Sequence, residues 1–210
     1  MGSNDAHMFE EAKLFLANYK DVGKPNKSRA PVVNSFSYFI FPSIPHNACD
    51  EIEPGLWLGN GDLAKKLDAL KDMKVTHVVN ACMGNKLNQV DTNADYYQAA
   101  NIHFYGIPAV DLSSFNIIPF LRPAADYIEQ ALANKGIVLV HCQLGISRSA
   151  SLVIAYLMLK RNMDFKNAVQ YVRQRREIFP NDGFLKQLIL LNREIIASKV
   201  VSQEKPTFID

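Results

Sequence analysis

Cysteine is scarce in this chain. Its 210 residues include three, Cys49, Cys82 and Cys142, too few and too irregularly spaced for a disulfide framework or a zinc site. Such usage fits free thiols in a reducing compartment, and the expected location is cytoplasmic, with the nucleus as second choice. Apolar runs of the roughly 20 residues needed to span a bilayer are missing, and the amino terminus lacks a signal-peptide core. No membrane association is expected. Excess charge of one sign is missing too. A net charge of +2, from 23 basic and 21 acidic residues, leaves no basic stripe for nucleic acid. There are no internal repeats and no low-complexity tract. What remains is a globular composition, 48% hydrophobic and 21% charged, long enough for one well-buried domain with a short extension.

Phe9, Ala12, Phe15, Leu16 and Tyr19 recur at helical spacing, which predicts a short amphipathic helix. Met1 to Met8 look like residues left by expression. The segment from Asp21 to Cys49 carries Pro25, Pro31, Pro42 and Pro45 and an aromatic patch, Phe36, Tyr38, Phe39 and Phe41. It reads as an extended arm over the domain surface, with a homodimer contact as the minority reading. Short strands are expected at Ile52 and at Leu56-Trp57-Leu58, around Pro54-Gly55. Asp62 can cap a helix running to about Met73. Val75 to Asn80 and Ile102 to Gly106 read as strands, and Ile117 to Asn134 as a helix ending before Gly136. A central strand over 137–141 then precedes helices near 148–160, 164–176 and 182–197. This alternation predicts an α/β fold, a central twisted, mostly parallel sheet of about five strands flanked by helices.

The stretch His141-Cys-Gln-Leu-Gly-Ile-Ser-Arg-Ser149 joins that central strand to the next helix. A short loop in this position turns its backbone N–H groups toward the positive end of the helix dipole and makes an anion cradle. No Gly-Lys-Ser/Thr follows, so it is not a Walker-type loop. Cys142 at the base of such a cradle is a nucleophile aimed at phosphorus. Only the thiolate attacks, and helix N-termini and nearby cations lower a cysteine pKa from about 8.5 to roughly 3.5–7.5. Arg148 supplies a planar fork of donors that fits two phosphoryl oxygens. Gly145 can take a positive φ and approach an oxygen closely. Ser149 can donate to the sulfur. Expelling an alkoxide or phenoxide needs a proton donor, and Asp111, on a turn after a strand and Pro108, is the candidate. The chemistry requires no metal or cofactor.

The loop, the Asp111 turn, Asn80-Ala81, Ala155-Tyr156-Leu157-Met158 and Asn181-Asp182-Gly183-Phe184 together resemble the small dual-specificity protein phosphatases, closest to the atypical VHR type. The resemblance spans about residues 50 to 195. It implies a protein tyrosine phosphatase-like fold, with Cys142 as nucleophile, Arg148 as phosphate-binding arginine, Ser149 as assisting hydroxyl and Asp111 as general acid. Gln143, Leu144, Gly145, Ile146 and Ser147 would then line the substrate phosphate. The implied domains are an N-terminal extension over 1–49, a catalytic domain over 50–198 and a tail over 199–210. The implied substrates are phosphotyrosine and phosphoserine/threonine on proteins, including doubly phosphorylated kinases. A phosphoinositide or RNA-end phosphatase shares the same loop, but lipid-directed relatives add basic residues inside it, whereas Gln143, Leu144 and Ile146 supply none. A phosphoprotein-binding module is the alternative outside the enzymes.

The remaining residues divide between structure and chemistry. Adjacent side chains on a strand face opposite ways, so His141 is expected to be a hydrogen-bonded support for the loop rather than a base for Cys142. Asn80 is expected to bond backbone near the loop. Cys82 is either a buried small side chain or a redox partner that forms a reversible disulfide with Cys142. The cluster Arg173, Arg175 and Arg176 ends a helix, where it complements the dipole. Its sharper reading assigns Arg176 to a second phosphate of a doubly phosphorylated substrate.

Overall fold

A computed structural model describes residues 2–18 and 45–203. Its sheet has five strands: β1 (Cys49–Glu53), β2 (Leu56–Gly59), β3 (His77–Asn80), β4 (His103–Gly106) and β5 (Val138–His141). Their order is β1-β2-β5-β3-β4, with β1 antiparallel to β2 and every other pairing parallel. The expected mostly parallel α/β sheet is therefore present. β5 lies between β2 and β3, and all four of its residues are buried, as a strand covered on both faces requires. Gly59 and Asn80 both pair with His141. That register brings three strand ends together at the point where the phosphate-loop sequence begins, the crevice at which open α/β sheets bind ligands.

Eight helices are assigned among the described residues: α1 (Ser3–Asn18), α2 (Gly61–Ala64), α3 (Leu67–Asp72), α4 (Ala94–Gln98), α5 (Ile118–Ala133), α6 (Arg148–Lys160), α7 (Phe165–Arg173) and α8 (Asp182–Gln203). Every residue of α6 from Arg148 to Met158 is buried, so the helix behind the loop is the centre of the core. It packs on α5, α7 and α8. Leu152, Val153, Ile154 and Leu157 join Val138 and Val140 of β5 in one apolar cluster.

Several boundaries differ from the sequence reading. The expected helix from Asp62 to Met73 is two short helices, and its cap is Asn60, whose Oδ1 accepts from the Leu63 N–H at 2.9 Å. α4, capped by Asn93, was not expected; five residues carry too little periodicity to register. α1 begins at Ser3, within the segment read as foreign to the fold. Asp5 is buried there and pairs with Arg193 at 3.0 Å. Phe9, Ala12 and Leu16 enter the main core, so the first helix is built into the domain rather than laid beside it. α8 runs on to Gln203, past the expected start of a tail at 199. The aromatic arm, and the dimer it would mediate, lie outside the described residues.

Candidate active site

The loop after β5 encloses the floor of a cleft of about 420 Å³. Cys142 lies at its base with its sulfur almost wholly buried. Gly145 holds φ at +72°, and a side chain there would collide with the Gly59 carbonyl. That conformation turns the Gly145 N–H onto Cys142 Sγ at 3.3 Å. From the first turn of α6, Ser149 Oγ donates to the same sulfur at 3.1 Å. Burial pushes the Cys142 thiol up, but the Arg148 charge, the Ser149 hydroxyl and the Ser149 and Gly145 amides outweigh it and hold it below the ordinary value.

Arg148 is buried beside the sulfur. Its Nη1 donates to the carbonyls of Asn88 at 2.7 Å and Ala109 at 3.3 Å, which aims the fork. Nε is buried without a hydrogen-bond partner and lies 3.6 Å from Asp111 Oδ2. A buried unpaired donor is costly, and a phosphoryl oxygen would satisfy it.

Asp111 lines the cleft with Cys142 and Arg148. Its Oδ1 accepts from Ser147 Oγ at 2.7 Å and from Asn181 Nδ2 at 2.8 Å. The turn that carries it is held by α8. Gln187 Oε1 accepts from the Ile117 N–H at 2.7 Å, Gln187 Nε2 donates to the Phe115 carbonyl at 2.9 Å, and Gly183 packs so closely on Ser113 that any side chain would collide. Sequence reasoning gave Asn181 no role beyond a family motif and missed Gln187 and Asn88. Asn181 carried one local signal: it caps α8 by accepting from Phe184 N–H at 3.0 Å. Asn88 carried none, since a carbonyl contact leaves no trace in residue type.

Gln143, Leu144, Ile146 and Ser147 all line the cleft, but Ser147 spends its hydroxyl on Asp111. Asn80 bonds backbone as expected. Its Nδ2 donates to the Val90 carbonyl at 2.9 Å and to Thr92 Oγ1 at 3.0 Å, and its Oδ1 accepts from Cys82 N–H at 2.9 Å. This anchors the segment that presents Asn88 to Arg148. His141 is buried with Nδ1 3.4 Å from the Cys142 carbonyl, and desolvation pushes its pKa down to about 4. It is not among the residues that line the cleft. Cys82 is also buried. Its thiol is pushed up to about 12, first by burial and then by the charge of Cys142.

Arg176 does not reach the cleft. Its side chain is fully buried, with Nε on the Gly145 carbonyl at 2.9 Å and Nη2 on the Leu144 carbonyl at 3.1 Å. Nη1 bonds the Asn47 carbonyl at 3.1 Å and Asp50 Oδ2 at 2.8 Å. With every nitrogen spent, the expected second-phosphate site is corrected: Arg176 braces the loop from behind. No group of three or more metal-ligating side chains occurs among the described residues.

Residues 56–194 match the model of the dual specificity phosphatase catalytic domain. The chain belongs to that family. Human dual specificity protein phosphatase 13B is 43% identical over 150 residues, which are 71% of this chain and 75% of that protein. A crystal structure of a point variant of human DUSP28 aligns with a TM-score of 0.65 at 29% identity, covering 72% of this chain and 99% of that one. The human tyrosine phosphatase-like serine/threonine/tyrosine-interacting protein aligns with a TM-score of 0.57 at 32% identity, covering 72% of this chain and 97% of that one. No described helix is long and apolar enough to cross a membrane.

Proposed function

We propose that this family member hydrolyses phosphotyrosine and phosphoserine/threonine on proteins through a phosphocysteine, as a cytoplasmic or nuclear signalling enzyme. One observation carries the reading: Cys142 Sγ receives two hydrogen bonds at the floor of a cleft that Arg148 and Asp111 share. The thiolate attacks phosphorus while the bond to the leaving oxygen breaks, and Asp111 gives that oxygen its proton. Arg148 and the loop amides hold the charge on the equatorial oxygens. Water then attacks phosphorus, the S–P bond breaks, and Asp111 takes the water's proton. Ser149 stabilises the departing sulfur through the hydrogen bond it makes in the resting state.

A rapid burst of phenolate from a chromogenic aryl phosphate should precede steady turnover. Cys142→Ser should abolish both, and Asp111→Asn should lower kcat by about 10²–10⁴-fold. Turnover that survives Cys142→Ser would remove the covalent mechanism. A phosphoprotein-binding module, the class to which the interacting-protein likeness would point, would instead show saturable phosphopeptide binding and no burst.

Cys82 supports a second, oxidative reading of the same loop. Asn80 pairs with His141 and the Ala81 N–H bonds the His141 carbonyl at 2.8 Å, so Cys82 and Cys142 follow neighbouring strand ends, and a sulfenic acid on Cys142 would be captured as a disulfide with release of water. Mild peroxide followed by non-reducing mass spectrometry should yield a Cys82–Cys142 crosslink. Over-oxidation of Cys142 without that crosslink would leave Cys82 as packing alone.

A further inference from the structure

We propose that the rim of the cleft selects phosphopeptides with apolar side chains on either side of the phosphorylated residue; this rests on the phosphatase reading above. Eight large apolar side chains stand exposed among the described residues; Leu144 belongs to the cleft, and Leu87, Val110 and Leu112 are chain neighbours of residues that line it. Leu144 lines the cleft itself. Leu87 adjoins Asn88, and Val110 and Leu112 stand on either side of Asp111, both of them lining residues. Three separate segments thus carry exposed apolar residues immediately beside lining residues of one cleft. Leu87 is 91% exposed and Leu112 58%, so neither serves the core. Scattered exposed leucines are ordinary, but a cluster around a polar cleft marks a contact surface.

The distribution of charge narrows the occupant. Arg148 is the only cation among the cleft-lining residues, and the phosphate under attack takes it. Asp182, also a lining residue, is paired with Lys13 at 3.0 Å, and Arg176 is spent on the loop. Lys86, beside Leu87, is the exposed cation nearest along the chain, and like Leu87 it stands outside the lining itself. An acidic flank, a second phosphate or a polyphosphorylated inositol headgroup would find no second cation among the lining residues to offset its desolvation. Apolar peptide side chains meet no such penalty and bury Leu87, Val110, Leu112 and Leu144.

The test compares two phosphotyrosyl peptides that differ only in having leucine or glutamate on both sides of the phosphotyrosine. The leucine peptide should be preferred by about tenfold in kcat/KM, the effect of partly burying a leucine side chain on the rim. In the Leu87→Ser/Leu112→Ser double variant, whose changes lie on exposed positions, that preference should fall to about twofold. A preference near one, a preference for glutamate, or an undiminished preference in the double variant would each overturn the proposal. An aryl phosphate assay separates its failure from that of the broader reading. No turnover of the aryl phosphate by the unmodified chain would sink the phosphatase itself, whereas normal turnover with an absent peptide preference would sink only the rim. Faster hydrolysis of phosphatidylinositol phosphate in phosphatidylcholine vesicles than of either peptide, lost in the double variant, would make the rim a membrane surface and overturn the proposal.

Discussion

A buried thiolate is costly, and the groups that offset the cost around Cys142 can be named individually. Arg148 supplies charge, and Ser149 and Gly145 supply hydrogen bonds. At the other two thiols burial outweighs the support they receive. Cys49 is pushed up to about 11 by burial and by Asp50, against a lowering from Arg176, and Cys82 to about 12. Near pH 6.5, iodoacetamide should therefore modify Cys142 selectively, with mass spectrometry reporting the site. Ser149→Ala should move the midpoint of Cys142 alkylation to higher pH and slow breakdown of the phosphoenzyme. An unmoved midpoint would show that the hydroxyl does not tune the sulfur. These residues were legible because their chemistry depends on side-chain type and on close spacing along the chain. Asn88 was not, because it acts through a carbonyl, and every residue has one.

Elements were legible where periodicity was long. β5 and α6 stand within a residue of their expected bounds, since a run of buried β-branched residues followed by an apolar helix admits few alternatives. Short elements were not: α2, α3 and α4 depend on caps more than on pattern. Arg176 shows the same limit from the other side. A helix-terminal cluster of arginines looks like a solvated face, yet Arg176, three residues beyond α7, turns inward and ties the phosphate loop to the chain entering β1. Removing its charge leaves Asp50, whose side chain is 16% exposed, without its ion-pair partner. Arg176→Leu should destabilise the fold by about 3 kcal/mol, the order expected for breaking a buried pair, as read from urea unfolding. It should lower activity on singly and doubly phosphorylated peptides by the same factor. A selective loss on the doubly phosphorylated peptide would restore Arg176 as a phosphate-binding residue.

At the scale of the whole molecule, the sheet centre carries a pH dependence. His141 is wholly buried, and desolvation depresses its folded pKa to about 4 from an ordinary 6.5. Between those values the unfolded chain binds a proton that the folded chain refuses, so stability rises with pH across that window. The contribution is complete above about pH 6.5 and is lost as pH falls toward 4. It amounts to about 3 kcal/mol at most, from 1.36 kcal/mol for each pH unit of separation. Urea unfolding at pH 7 and pH 4.5 should show that decline, and His141→Gln should flatten it. The sequence placed the histidine on the central strand; only the packing of β2 and β3 on either side shows how completely water is excluded.

The tight seat of Gly145 has a consequence for protein engineering. The nonapeptide around Cys142 looks portable, a cassette to graft onto any strand-to-helix junction. Its glycine, however, rests against the Gly59 carbonyl, and its own carbonyl is gripped by Arg176. The smallest transplantable unit is therefore three segments distant in sequence, and a host sheet that offers only the loop would receive a thiol without its cradle.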